Sequence, residues 1–135
     1  MRPVVVFCVL ALVLSACGSA PRDSAKDFSG SERDVATTVE NVENAARKDH
    51  ADDLCTKLLS DSLLAALKKK GMNCLTAVKE AFKDADSLDL TVDDVSISGS
   101  TATAQVTSQV GSDKKTDTLE LEKVGATWKI SSMRA

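Results

Sequence analysis

Apolar and polar positions divide this chain into three stretches with different periods. Residues 4–14 are an unbroken apolar run, Val4 to Leu14, behind a single basic residue, Arg2. From Ser31 the spacing becomes helical: Val35, Val39, Val42 and Ala46 recur every three or four residues, with Ala45 beside them. Glu40, Glu43, Asn44, Arg47 and Lys48 fall largely on the opposite side. This pattern predicts an amphipathic helix over 32–49, opened by a capping-box-like Ser31 and Asp34. The run Asp49-His50-Ala51-Asp52-Asp53 suits the start of a second helix, because carboxylates favour the positive N-terminal end. Its apolar face is Leu54, Cys55, Leu58 and Leu59. Ser60-Asp61-Ser62 breaks it or caps a new turn holding Leu63, Leu64 and Leu67, and Lys68-Lys69-Lys70-Gly71 is a strong stop. Asn73 then caps a helix over 74–84 with Leu75, Val78, Ala81 and Phe82 facing inward.

At Leu88 the period shifts to alternation. Leu88, Leu90 and Val92 point one way, and Val95 and Ile97 resume after a slip at Asp93-Asp94, the signature of a β-bulge. Ser98-Gly99-Ser100, Gly111-Ser112-Asp113-Lys114 and Val124-Gly125-Ala126 read as turns between further alternating runs, Ala102 to Val110, Thr118 to Glu122, and Trp128 to Met133. Helices followed by a four-stranded antiparallel meander define an α+β domain, the helices covering one face of a curved sheet. Residues 18–30, rich in Gly, Ser, Ala and charge, have the composition of a flexible tether.

The apolar run is too short for a membrane helix, which needs about 20 residues. Together with Arg2 and the small residues that follow, it has the anatomy of a secretory signal. Leu14-Ser15-Ala16-Cys17 resembles the signal of bacterial lipoproteins, whose cysteine thiol is acylated before cleavage makes it the first mature residue. The chain then divides into a signal peptide over 1–16, a lipidated Cys17 with its tether over 17–30, and one domain over 31–135. The implied site is the extracytoplasmic face of a bacterial cell membrane, with a palmitate-type anchor on Cys17. Charge changes the picture little. There are 17 basic and 20 acidic side chains, and only Arg2 leaves with the signal, so the remainder carries net charge −4. That balance argues against a nucleic-acid partner and against electrostatic adhesion to anionic lipid.

Of four cysteines, Cys8 lies in the apolar run and Cys17 is the acylation site. Cys55 and Cys74 remain, an even pair in a compartment where disulfides persist, and a bond between them is expected. Metal binding is the rival, but two cysteines and one histidine, His50, make a poor zinc set.

The order of elements resembles the cone-shaped nuclear transport factor 2-like fold. The likeness is carried by Gly125-Ala126-Thr127-Trp128-Lys129-Ile130, by Asp52-Asp53-Leu54-Cys55 and by the bulge at Asp93-Asp94. Small actinobacterial lipoproteins of this type resemble the chain in pairing a helix-borne cysteine with another about twenty residues on. The resemblance implies a pocket at the open end of the cone, with Val39, Val42, Leu58, Phe82, Val106 and Trp128 as candidate lining. Ketosteroid isomerase, an enzyme of that superfamily, combines an Asp base with Tyr and protonated Asp donors. This chain has no tyrosine, so that pattern cannot be carried over.

Other candidates for chemistry are sparse. His50 could titrate near neutrality, yet no acid or nucleophile pairs with it from sequence. Asp93 and Asp94 are adjacent on a strand, and adjacent side chains normally face opposite ways. Asp84, Asp86 and Asp89 suggest calcium faintly, without the spacing of an EF-hand. Trp128 reads as a core anchor. No metal, cofactor or catalytic set is expected. The leading expectation is a membrane-tethered, non-catalytic domain that binds a small apolar ligand or a membrane protein partner. The alternatives are an isomerase- or dehydratase-like enzyme using His50 or an Asp, and an accessory subunit of a membrane complex.

Overall fold

The computed structural model describes residues 23–83 and 88–134. The signal peptide, Cys17 and the Asp84 and Asp86 of the calcium suggestion lie outside them. Helix α1 runs Gly30–Arg47, α2 Ala51–Asp53, α3 Asp61–Lys69 and α4 Cys74–Ala81. The strands are β1 Leu88–Ser98, β2 Thr101–Val110, β3 Asp113–Val124 and β4 Thr127–Arg134, hydrogen-bonded in that order as one antiparallel sheet. No helix among the described residues is long and apolar enough to cross a membrane.

The meander follows from its turns. Two-residue loops join the strands at Gly99, Gly111 and Gly125, each with φ between 60 and 64°. Ser100, Ser112 and Ala126 stay at negative φ, so these are turns with glycine at the first central position, whose twist matches that of the strands. The predicted bulge is present: Val92 pairs with Val106 and Asp94 with Gln105, leaving Asp93 unopposed. A second bulge, at Glu120/Leu121, was not legible in the alternation. Both bend the sheet around the helices.

Helix α1 packs along β1, burying Val35, Ala36, Val39, Val42 and Ala46 against Leu88, Leu90, Val92, Ala104, Val106, Leu119 and Leu121. It begins and ends two residues earlier than the periodicity predicts. Ser29, not Ser31, is the N-cap, and no side chain caps that end. The folded body also starts before residue 31. Ala25–Asp27 forms a 3₁₀ turn, Ser24 and Ala25 are buried, and Phe28 packs on the core. The tether composition of 17–30 therefore misled at its C-terminal end, because a few short hydrogen bonds fix those residues. Ser24 Oγ donates to Glu40 Oε1 at 3.3 Å and accepts the Val92 N–H at 3.1 Å, and the Ala25 N–H donates to Glu40 at 2.7 Å. An edge strand with unpaired donors is a liability; here side chains from α1 and from the segment before it cover the edge of β1.

The opposite edge is met by the chain between α2 and α3. Leu59 bridges Ile130, and the Ser60 N–H donates to the Ile130 carbonyl at 2.8 Å. Ser60, fully buried, also caps α3, accepting the Leu63 N–H at 3.2 Å and lying 2.7 Å from the Ser62 hydroxyl. Ser60→Ala removes that cap and is expected to cost about 1 kcal/mol. Urea titration should show a lower midpoint with an unchanged slope.

Candidate functional site

Val39, Val42, Val106 and Trp128 are core residues, all at least nine-tenths buried, and line neither of the two clefts described next. These β-branched and aromatic side chains from α1, β2 and β4 belong to one hydrophobic core cluster. Trp128 holds the anchoring position expected of it, with Lys123 Nζ 5.7 Å from its ring centroid. Its indole N–H finds no acceptor among the described residues. The polar intrusion on this inner face is Asp117, opposite Val106 and 3.0 Å from Lys115 Nζ.

Open space lies instead within the helical layer. A cleft of about 270 Å³ is floored by Ala45, Ala46, Ala51, Leu54, Val78 and Phe82, with Asp49, Lys79 and Lys83 around it. Its existence follows from small residues at the end of α1 and from two departures from regular helix. First, α1 ends in a Schellman motif: the Asp49 N–H donates to Ala46 O at 3.2 Å and the His50 N–H to Ala45 O at 2.8 Å. Asp49 occupies the left-handed position at φ 54°. Second, α2 continues as a π-helical turn, Leu54–Leu58, closed by the Leu59 N–H donating to Leu54 O at 2.9 Å. Such wide turns occur often at functional sites.

The far wall is α4, and the expected disulfide holds it there. Cys55 in the π-turn is bonded to Cys74, the first residue of α4, with Cα atoms 6.1 Å apart. Asn73 caps α4 as its sequence predicts, accepting the Thr76 N–H at 3.4 Å. The helix is shorter than 74–84, and Val78 is its one buried residue. Phe82, expected to line a pocket at the mouth of the cone, borders this cleft of the helical layer instead.

Leu58 lines a second groove, of about 240 Å³, between α1 and the π-turn. His50, Asp53 and Lys57 share that groove. His50 Nδ1 is 3.7 Å from Asp53 Oδ2, beyond hydrogen-bond reach, and Lys57 Nζ holds Asp53 Oδ1 at 2.7 Å. The Lys57 hydrogen bond and charge keep the Asp53 carboxyl below the usual aspartate range. Asp53 is then an anionic counter-group for Lys57. Asp93 and Asp94 do not form a site. Asp93 accepts a hydrogen bond from the Thr107 hydroxyl at 2.6 Å on the exposed face.

Glu43 was placed on the polar side by its spacing, and the structure corrects this: it is 1% exposed. Its Oε2 accepts the Leu90 N–H at 3.2 Å, and its Oε1 accepts from Arg47 Nη1 at 3.3 Å. Arg47 Nη1 also donates to Leu88 O at 3.2 Å. Burial pushes the Glu43 carboxyl above the ordinary glutamate value, against the lowering effect of the Leu90 and Arg47 hydrogen bonds. The signal for this was Glu43 and Arg47 at i,i+4 beside the Val39–Val42–Ala46 stripe. The pair seals the edge of β1 and stands apart from both clefts.

Two solved structures are similar to this chain. An "NTF-2 like protein of unknown function" from Shewanella oneidensis MR-1 superposes with a TM-score of 0.54 at 18% identity, covering 74% of this chain and 93% of that one. A de novo designed NTF2 fold protein, NT-9, gives 0.53 at 18% identity, covering 80% and 87%. No curated protein matches the chain in sequence. Residues 64–133 match the family described as "Putative lumazine-binding". With just over half its length matched and its architecture shared with both structures, the chain belongs to that family and carries it on a nuclear transport factor 2-like fold.

Proposed function

We propose that this protein is anchored by a lipid on Cys17 to the outer face of a bacterial cell membrane, and that it works there as a non-catalytic binding domain for a small, largely apolar ligand. The observation that carries the binding reading is the cleft between α1, α2 and α4. Ala45, Ala46, Ala51, Leu54, Val78 and Phe82 line it, Asp49, Lys79 and Lys83 make most of its accessible surface polar, and its volume of about 270 Å³ lies just below the usual range of ligand pockets. The family description names lumazine, a flat bicyclic heterocycle of a size suited to such a space. The location rests on the apolar run ending in Leu14-Ser15-Ala16-Cys17. A Cys55–Cys74 bond agrees with it, since disulfides persist outside the reducing cytosol.

Metabolic labelling with an alkyne analogue of palmitate should tag the wild-type chain and move it into the detergent phase. Cys17→Ala should lose both properties. A Cys17→Ala protein that is still processed and still partitions with detergent overturns the anchor. For binding, the detergent-solubilised full chain should show a higher Tm with lumazine or with naphthalene, a bicycle of similar shape. No shift with either, up to millimolar concentration, overturns the binding reading.

A further inference from the structure

The conformation of Asp49 is informative because it works against the residue. The position after a Schellman-capped helix usually goes to glycine, since a side chain in the left-handed region meets its own backbone. Aspartate tolerates the region better than most residues, but glycine fits it without strain. The Asp49 side chain gives nothing local in return: the hydrogen bonds of the motif are made by backbone atoms, and its carboxylate has no partner among the described residues. Strained residues of this sort concentrate where function needs them. Asp49 lies on the 270 Å³ cleft, together with Lys79 and Lys83 from α4. Lys83 is 3.1 Å from Glu80, whereas Lys79 is without an ion pair among the described residues, and no salt bridge joins Asp49 to either lysine. Opposite charges are thus kept apart around an apolar floor with an aromatic wall, an arrangement that a purely apolar guest would leave unused.

We propose that the cleft selects a flat ring whose rim carries both N–H donors and carbonyl or carboxylate oxygens, with Asp49 accepting from a donor and Lys79 donating to an oxygen. This rests on the binding function proposed above and specifies its chemistry. Phe82 supplies the ring contact. Asp49 is held in its strained turn as the determinant that separates such rings from plain hydrocarbons. A hydrogen bond to a charged group carries enough free energy to set about a tenfold difference in affinity.

The test compares lumazine, whose dione ring alternates N–H donors and carbonyl oxygens, with naphthalene, which has neither, by calorimetry and thermal shift on the solubilised full chain. The wild type should bind lumazine at least tenfold more tightly than naphthalene. Asp49→Gly should raise the Tm of the free protein, by relieving the turn, while lumazine affinity falls about tenfold and naphthalene affinity holds. Lys79→Met should likewise weaken lumazine alone. Equal affinity of the wild type for the two rings, or lumazine affinity unchanged in both variants, overturns the assignment and leaves an apolar binding cleft. Failure of both rings to bind overturns the binding function itself.

Discussion

Glu43→Ala is expected to destabilise the fold by about 3 kcal/mol, the lower end of the cost of breaking a buried ion pair. The loss has three sources. The Leu90 N–H, on the edge of β1 that Glu43 covers, loses its acceptor, and an unsatisfied buried donor costs about 1–3 kcal/mol. The Arg47 guanidinium loses its anion, though it is 25% exposed and can turn toward water, which keeps the total from rising further. Removal of the carboxymethyl group also leaves space at a fully buried position that the surrounding core fills only in part. For a body of this size the Tm should fall on the order of 15 °C, and β1 amides should exchange faster than those of β2 and β3.

Glu43→Gln isolates the charge. It retains an oxygen for Leu90 and the shape of the side chain, and it does not titrate. Because burial holds the folded-state carboxyl above the ordinary value, the native protein binds more protons than the unfolded chain between the two values. Stability contributed through this group is then highest at acid pH. It declines as pH rises from the ordinary glutamate value, about 4.3, through the raised one, and is level above it. The difference in unfolding free energy between wild type and Glu43→Gln should therefore shift against the wild type across that window. A difference that is flat with pH would mean that the carboxyl titrates as though exposed.

Why Glu43 was misplaced explains where sequence reading works in this protein and where it stops. Periodicity reports which residues an element can bury by hydrophobicity, so the stripe of α1, the bulge at Asp93, the Gly-led turns and the caps at Ser60 and Asn73 were all legible from local chemistry. Glu43 and Ser24 are polar residues that accept backbone N–H groups of β1 47 and 68 positions away, and Glu40 holds Ser24 and Ala25 in place; no local period records partners so distant. The site was half legible for a related reason. Val39, Val42, Val106 and Trp128 are buried core residues, and Phe82 and Leu58 border two clefts of the helical layer rather than the cone mouth that the resemblance implies. Whether a curved sheet encloses a void or a core depends on side-chain volumes summed over several elements. The actual cleft depends on a π-turn and on a left-handed Asp49, backbone conformations that hydrophobic spacing does not encode.

Removing the Cys55–Cys74 bond, by reduction or by Cys55→Ser with Cys74→Ser, is expected to cost about 3 kcal/mol on the chain-entropy model for a separation of 19 residues. The loss should fall unevenly. Helix α4 buries Val78 alone, leaves Leu75 38% exposed, and has only eight residues, too few for a helix to persist without packing. Once the covalent link is gone, α4 should open locally. Amides of 74–81 would then lose exchange protection at denaturant concentrations where those of β2 and β3 keep theirs. The same opening removes Val78, Lys79, Phe82 and Lys83 from one side of the cleft, so ligand affinity should disappear well before the fold does. A reduced protein with both thiols titratable, full protection of α4 and unchanged affinity would show that packing alone positions the helix. The bond is thus worth more to the cleft than to the fold. In a reducing compartment the domain would remain folded around its sheet while losing one wall of the cleft, so the proposed binding function requires an oxidising environment.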